Sequence, residues 1–575
     1  MSGHMTTNAI RNFFIVFLLF IIFFSFATDL PKTKKGGFFS DESTYFSILQ
    51  SLAHDGDLEY SRADIVRIKE SFWVGPMGLF LKKGRDGRLY YAKSFIYPLA
   101  AAPFFRLFGT HGILLANGLM IFFVLLMGFL LLRQVHPPGK SFSLTLIYLF
   151  SSVTFIYIWW ITADLFNFFV NFAGLYFFFY HFKKPSWNSL AGLFFALAVF
   201  SKPNNLLHIG ILFLLLLYQK NWKKFVGTAL VCLLVLGGLA YFSYAQTGTV
   251  NYMGGERRSF YGNFPFERPD FTFAGAHLMS SDNYWSRFYL SPAVAALNLF
   301  YYVFGRFTGL FIYFPSAIFL LLLFFFQKKK PQDWFLLAAI GAAVLFYILV
   351  TPDNYFGGSG SLGNRYFFNV FPLFFFLGYR ERTFRFLLLP VFAAVIFLAP
   401  VYMDSLYHSA FPRFPGISFP AKFFPPEKTQ YASLPSNNNP RAFNRNIGDK
   451  YTLYFLNDNY HPLEDETFWT FADQELELFL LAPQAVKTFS VQLKNIPLAN
   501  RVFVQIDHKK QKVFITPGDV RIVTFSRIPG LRIDDRYLYH VKVRSDRYFC
   551  PYFDATPPVP DERLLGVQAC IQLSY

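Results

Sequence analysis

The run FFIVFLLFIIFFSFATDLPKTKKGGFFSDE, Phe13 to Glu42, decides the class of the molecule. Uncharged apolar residues extend from Phe13 to Ala27 behind Arg11, the chain then turns polar, and the adjacent acids Asp41 and Glu42 follow. A run of that composition enters a membrane as a first span. It also fits a cleaved signal peptide, with SFA ahead of Thr28 as the cleavage site. Both readings leave Asp41 outside the cytoplasm. The leading MSGHM reads as a cloning remnant ahead of a native Met5 and is set aside.

The rest of the chain repeats the pattern. Of 575 residues, 54% are hydrophobic and 15% charged, with 80 Phe, 34 Tyr and 8 Trp. Soluble proteins carry about 25% charged residues. Composition and long apolar runs define a polytopic α-helical membrane protein, with about eleven spans expected. Beyond the first, the candidate spans are roughly 111–133, 141–160, 165–182, 188–200, 204–219, 224–244, 309–326, 333–350, 366–379 and 384–402. Threaded from a cytoplasmic N-terminus, the inside loops are all basic, among them RQVHPPGK, HFKKPSW, QKKKPQD and YRERTFR. That is the positive-inside pattern. It accounts for much of the net charge of +18, and no basic-aromatic module for nucleic acid is visible. Two punctuated stretches, 92–109 and 291–309, are expected as interfacial helices on the outer face.

Near residue 403 the composition changes. Residues 403–448 are rich in Pro, Ser and Asn and read as a linker. From 449 to 575 apolar and polar residues alternate, as in YTLYFL, RVFVQID and YLYHVKV, between the turns PGD, IPG and SDR. Period two between turns predicts an antiparallel β-sandwich. The expected organisation is a transmembrane domain at 1–402 with its first external loop at 28–110, the linker, and an extracytoplasmic β-sandwich at 449–575. Cys550 and Cys570 share that last region, where a disulfide is permitted but not decided by spacing.

Candidate chemistry gathers outside the membrane. Asp41 and Glu42 lie at the start of a helical pattern, where an acid also serves as an N-cap. Asp164, in WWITADLFNFF, stands between two apolar runs, where an ionisable group is costly. Lys93, Lys202, Arg257, Arg258, Arg306 and Arg365 are outer-face cations, against the inside bias. Each alone also reads as a snorkelling side chain. Together with the acids they suggest a site for an anion such as a phosphate. The segment YFGGSGSLGNRYFF, 355–368, has glycines that permit close backbone approach. It lacks the spacing of a nucleotide-binding P-loop. No His/Cys metal spacing and no GxSxG elbow occurs.

In order and sidedness these features resemble the GT-C superfamily of polytopic glycosyltransferases, over residues 10–380. SDESTYFSILQSLAHDGD resembles the acidic first-loop motif of that family, and Asp164 its second acid. YYAKSFIYPLAAAPFFRLFG resembles the segment leading into a short interfacial helix, and GGSGSLGNRY the late Gly-rich loop ending in Arg-Tyr. The WWD motif of the oligosaccharyltransferases is absent, which leaves Asn glycosylation without support. The resemblance implies inverting transfer of a sugar from a polyprenyl-phosphate donor to a hydroxyl on a glycan, lipid or protein, at a bacterial-type inner membrane. Asp41 would be the general base, assisted by Glu42 and Asp164. Lys93, Lys202 and Arg365 would hold the donor phosphate, with Tyr366, Arg257 and Arg258 contacting substrate. No cofactor is firmly implied; a divalent cation, Mg2+ or Mn2+, is an option beside Asp164.

Other classes remain open on the sequence. A lipid-linked glycan ligase or polymerase shares the donor. A secondary transporter would show inverted halves and midplane charges, and neither is visible. A non-catalytic scaffold would not need outer acids matched with cations.

Overall fold

The computed structural model describes residues 7–34, 37–39, 41–72, 74–180, 185–275, 277–278, 291–358, 360–378, 388–410, 414–434 and 444–575. The basic loop residues 181–184 and 379–385 and the loop end 279–290 lie outside them. The chain divides into two compact units: Met1–Leu290 with Tyr302–Phe304 and Thr308–Pro412, and Ser291–Tyr301 with Gly305–Phe307 and Arg413–Tyr575.

The first unit is built on apolar helices. Thr7–Ala27, Thr110–Leu132, Trp222–Thr247 and Pro331–Val350 are long and apolar enough to cross a membrane. Pro138–Phe150 and Val153–Trp159, bent by 64°, add a fifth if the pair is one span. Trp222–Thr247 buries only 11% of its apolar window against protein, so most of that surface is left for lipid. The other expected spans appear as shorter helices: Ala163–Phe179, Leu190–Ser201, Asn205–Tyr218, Pro315–Phe326, Arg365–Gly378 and Leu388–Met403. Local chemistry shortens them. Ser151-Ser152 interrupts one run, and Pro203 and Pro315 disfavour helix in the residues before them. Among the described residues, length and composition alone identify four or five crossings of the expected eleven.

Ala163–Phe179 carries a polar face through this apolar setting. Asn167 donates to the Ala163 carbonyl at 2.7 Å and to Ser201 Oγ at 2.8 Å, and Asn205 donates to Asn167 Oδ1 at 3.0 Å. One turn further, Asn171 donates to the Asn167 carbonyl at 2.9 Å, and its Oδ1 meets His208 Nε2 at 2.9 Å. Asn167, Asn171, Asn205 and His208 are all buried. This ladder fixes the helix against Leu190–Ser201 and Asn205–Tyr218. On another side, Phe168 stacks on Phe368 at 4.5 Å, and Tyr157 on the same ring at 4.1 Å. Asp164 and Arg365 each begin one of the two helices so joined.

Two segments far apart in sequence build a small antiparallel sheet in the same unit. Its strand order is Leu89–Tyr91, Leu79–Lys83, Arg257–Phe260 and His277–Leu278. Helix Asp41–His54 is tied to it where Thr44 Oγ1 accepts from Phe80 N at 3.0 Å, and Ser43 Oγ donates to the carbonyl of Met77, at the end of the preceding strand Val74–Met77, at 2.9 Å.

The second unit contains the β-sandwich. One sheet orders Lys509–Ile515, Asn500–Ile506, Arg536–Ser545, Leu476–Ala482, Tyr451–Phe455 and Asn444–Ile447, with Leu531–Ile533 also paired to Arg536–Ser545. The other orders Val520–Ser526, Thr488–Lys494, Leu565–Ser574 and Thr467–Phe471. Alternate residues fill the space between them, including Leu453, Phe455, Leu478, Leu480, Val491, Leu493, Val502, Val504, Val541 and Val543. Cys550 and Cys570 are unbonded.

Candidate active site

Asp41 opens its helix, where the dipole favours an anion. Its two carboxylate oxygens meet Lys93 Nζ at 2.7 Å and Arg365 at 3.0 Å. Lys93 is delivered by the end of strand Leu89–Tyr91, where Ala92 N donates to the Phe80 carbonyl at 2.9 Å. Arg365 is delivered by the Gly-rich loop. Asn364 caps the helix, accepting from Phe367 N at 2.9 Å, and Arg365 N donates to the Phe356 carbonyl at 3.1 Å. Gly357, at φ +97°, passes so close that a Cβ there would lie 2.5 Å from Arg365 Nε. The loop glycine thus seats the arginine; the sequence had suggested amides approaching a ligand.

Burial alone would raise the Asp41 carboxyl, but Lys93 and Arg365 outweigh it and hold it well below the ordinary carboxylate range. Lys93 in turn is lowered, first by burial and then by Arg257, against the pull of Asp41. Lys93, Asp41 and Arg365 keep 15–18% of their side-chain surface, enough for a ligand to reach them.

Asp164 is paired with Lys202 and accepts from Thr162 Oγ1 at 2.8 Å. Lys202 is the C-cap of Leu190–Ser201, and its Nζ lies 5.6 Å from the Tyr366 ring centroid. Tyr366 stacks on Tyr347 at 4.5 Å. Arg365 lies within electrostatic reach of Asp164 as well as of Asp41. One cluster therefore gathers Asp41, Asp164, Lys93, Lys202, Arg365 and Tyr366.

Glu42 points elsewhere. Its Oε1 accepts from Lys34 Nζ at 2.7 Å and from Ile161 N at 2.9 Å. It ties the first-loop helix to the turn that precedes Asp164, so one acid of the pair joins the cations while its neighbour fixes the two segments together. The adjacent arginines divide in the same way. Successive strand residues face opposite sides, and Arg257 faces the cluster: it and Lys93 both lie over the Phe80 ring, at 5.4 and 4.5 Å. Arg258 turns away, held by Glu256 at 2.7 Å and the Ala274 carbonyl at 2.7 Å. Arg306 belongs to the second unit, where it pairs with Glu477.

The sequence reading missed two participants. Tyr45 lies one turn after Asp41 on the same face, and burial, with Tyr252, Asp41 and Asp164 nearby, pushes its hydroxyl far up. Helical spacing from Asp41 was the available signal. Lys82, across the strand from Arg257, is lowered to about 8 by burial and by that arginine. It donates to Thr249 Oγ1 at 2.6 Å and to the Asn251 carbonyl at 3.1 Å.

Cations outnumber carboxylates here. Nε of Arg365 and Nε of Arg257 are buried with no protein acceptor. A divalent cation does not fit these donors. Asp41 and Asp164 are already held by lysine and arginine, and no group of three or more His, Cys, Asp or Glu gathers among the described residues.

No family model and no curated protein matches the chain. Among solved structures it is similar to the crystal structure of ArnT from Cupriavidus metallidurans bound to undecaprenyl phosphate, at 14% identity and a TM-score of 0.43. The match covers 70% of this chain and 65% of the length of that one.

Proposed function

We propose that the protein is a multi-pass inner-membrane glycosyltransferase that moves a sugar from a polyprenyl-phosphate donor to an acceptor hydroxyl on the external face. The observation that supports it best is the paired carboxylate Asp41 set among Lys93, Arg365, Arg257 and Lys202, with guanidinium donors to spare. A phosphodiester is the kind of anion such a cluster favours. In this reading the chain crosses the membrane about eleven times, counting the short helices. The cluster and the β-sandwich then face outward.

Donor phosphate competes with Asp41 for Lys93 and Arg365. As those cations turn to the phosphate, Asp41 recovers basicity and takes the proton of the acceptor hydroxyl. The hydroxyl oxygen forms its bond to the anomeric carbon while the bond to the phosphate oxygen breaks on the opposite face. The configuration inverts, and polyprenyl phosphate leaves, its charge met by Lys93, Arg365 and Lys202. Asp164, fixed by Lys202, orients the acceptor, with Tyr366 and Arg257 at the edge of the sugar. Glu42 positions rather than reacts.

The test is sugar transfer from a panel of radiolabelled polyprenyl-phosphate sugars by the purified protein and by Asp41→Asn. Transfer by the parent that is lost in the variant supports the reading. Binding of the lipid-linked sugars with no transfer from any of them overturns it.

A further inference from the structure

We propose that the outer face of the larger sheet in the second unit is a binding site for an anionic saccharide chain. The inference does not depend on the transfer reaction. On this face, register sets Phe503 between Lys512 on one neighbouring strand and Arg544 on the other. Two residues along, Gln505 stands between Lys510 and Lys542 in the same way. In the other direction Phe514 stands opposite Arg501. Residues two apart on a strand share a face. The three rows therefore form one strip of alternating aromatic, amide and cationic groups.

Folding alone does not account for this strip. Lys542 is held by Glu475 at 2.8 Å and Glu477 at 3.4 Å. Lys510, Lys512 and Arg544 make no ion pair among the described residues, and like charges gathered on one sheet face repel. Lys512 Nζ instead covers the Phe503 ring at 5.0 Å. The strip is also recessed. Its groove has a volume of about 330 Å3, and among its lining are Phe503, Gln505, Lys510, Lys512, Arg544 and the Lys542–Glu475 ion pair. Ligand pockets run from roughly 300 to 1,000 Å3.

The chemistry selects the occupant. Rows two residues apart are about 6.8 Å from each other, so three rows span about 14 Å, the reach of a short chain and not of a single ion. An aromatic ring offers an apolar surface to the C–H face of a sugar. The Gln505 nitrogen is held by the Asp507 carbonyl at 2.6 Å, which leaves its Oε1 to accept from a hydroxyl, and lysine and arginine match carboxylates. A bilayer surface is a poorer match, because only Phe514 of the two rings is exposed, while Phe503 lies beneath Lys512.

The full-length protein, in phosphatidylcholine nanodiscs, is titrated with tetragalacturonate and with neutral maltotetraose. Tetragalacturonate is expected to bind at least about tenfold more tightly, on the scale of one or two ion pairs. Lys512→Gln with Arg544→Gln removes most of that difference, and Phe503→Ala weakens both ligands, with unfolding midpoints unchanged. Should Phe503→Ala shift the midpoint, the charge variant decides alone. Equal affinity for the two oligosaccharides, or no change in the charge variant, overturns the proposal. So does binding to phosphatidylglycerol vesicles without binding to tetragalacturonate, which would assign the face to lipid.

Discussion

Each unit buries a knot of charge, and the two knots differ in what they leave over. In the first, Asp41 and Asp164 are satisfied by Lys93, Arg365 and Lys202, while Nε of Arg365 and of Arg257 has no acceptor. In the second, Glu477 meets Arg306, His540 Nε2 at 2.7 Å and Lys542 at 3.4 Å, and Arg306 Nε donates to the Phe424 carbonyl at 2.9 Å. None of those side chains leaves a buried polar atom unpartnered. Burial and short contacts are common to both, so neither separates a reactive site from a structural one. They differ in the remainder: the second knot is closed, and the first keeps two guanidinium N–H groups without a protein acceptor, which fits the proposed anion.

The contrast is exposed first by Asp41→Asn. Loss of the proposed general base is expected to lower transfer by about 10²–10⁴-fold, with the unfolding midpoint little changed. Transfer at the parental rate in the variant would break the comparison. Glu477→Gln should do the reverse. Leaving Arg306 without its charge partner is expected to cost about 3 kcal/mol, read as a lower midpoint, while transfer per folded molecule stays constant. The pH dependence carries the same sign. Burial would raise the Glu477 carboxyl, but the His540 hydrogen bond and the Arg306 charge hold it well below its ordinary value. Its stabilisation is therefore present above about pH 4.3 and is lost as pH falls through the lower folded-state value. In Glu477→Gln that acid-side slope should flatten.

A smaller effect is expected from Gly357→Ala. The added Cβ meets Arg365 Nε at 2.5 Å, on backbone at φ +97°. Donor KM should rise about tenfold, the size of one displaced charge contact. Gly360→Ala, where nothing lies within 4 Å of the new Cβ, should change nothing. The smallest shift on the pH scale, yet the most diagnostic, is in Lys93→Gln, beside a loss of donor binding no smaller than in Gly357→Ala. With one cation gone, the acid limb of the pH profile of kcat/KM should move up toward the ordinary Asp value of about 3.9. An unmoved limb would separate Asp41 from the proton transfer.

Much of this was legible without coordinates. Apolar runs marked the helices, and strict alternation marked the strands after residue 449. Lys93, Lys202 and Arg365 stood out because outer-face cations oppose the inside bias. What the sequence concealed depends on contacts distant along the chain. Arg257–Phe260 pairs with Leu79–Lys83 from about 175 residues further along the chain, and no local pattern records that partner. The same pairing decides that Arg257 faces the cluster and Arg258 does not, although the two letters are identical. Glu42 looked equivalent to Asp41 for a related reason: its role lies in the Ile161 amide, and backbone donors have no signature in side-chain types. The shortened helices were half visible, in Pro203 and Pro315, but the 64° bend after Phe150 was not.

The ladder Asn167–Asn171–Asn205–His208 bears on how the chain is made. A carboxamide facing hydrocarbon alone lacks the hydrogen bonds that water would supply. Here the amides of Ala163–Phe179 find theirs on the segment that emerges from the ribosome about thirty-five residues later, at roughly seven seconds or less for elongation at 5–20 residues per second. For that interval the Asn167 and Asn171 carboxamide oxygens lack the Asn205 and His208 partners that fix the register of the finished helices.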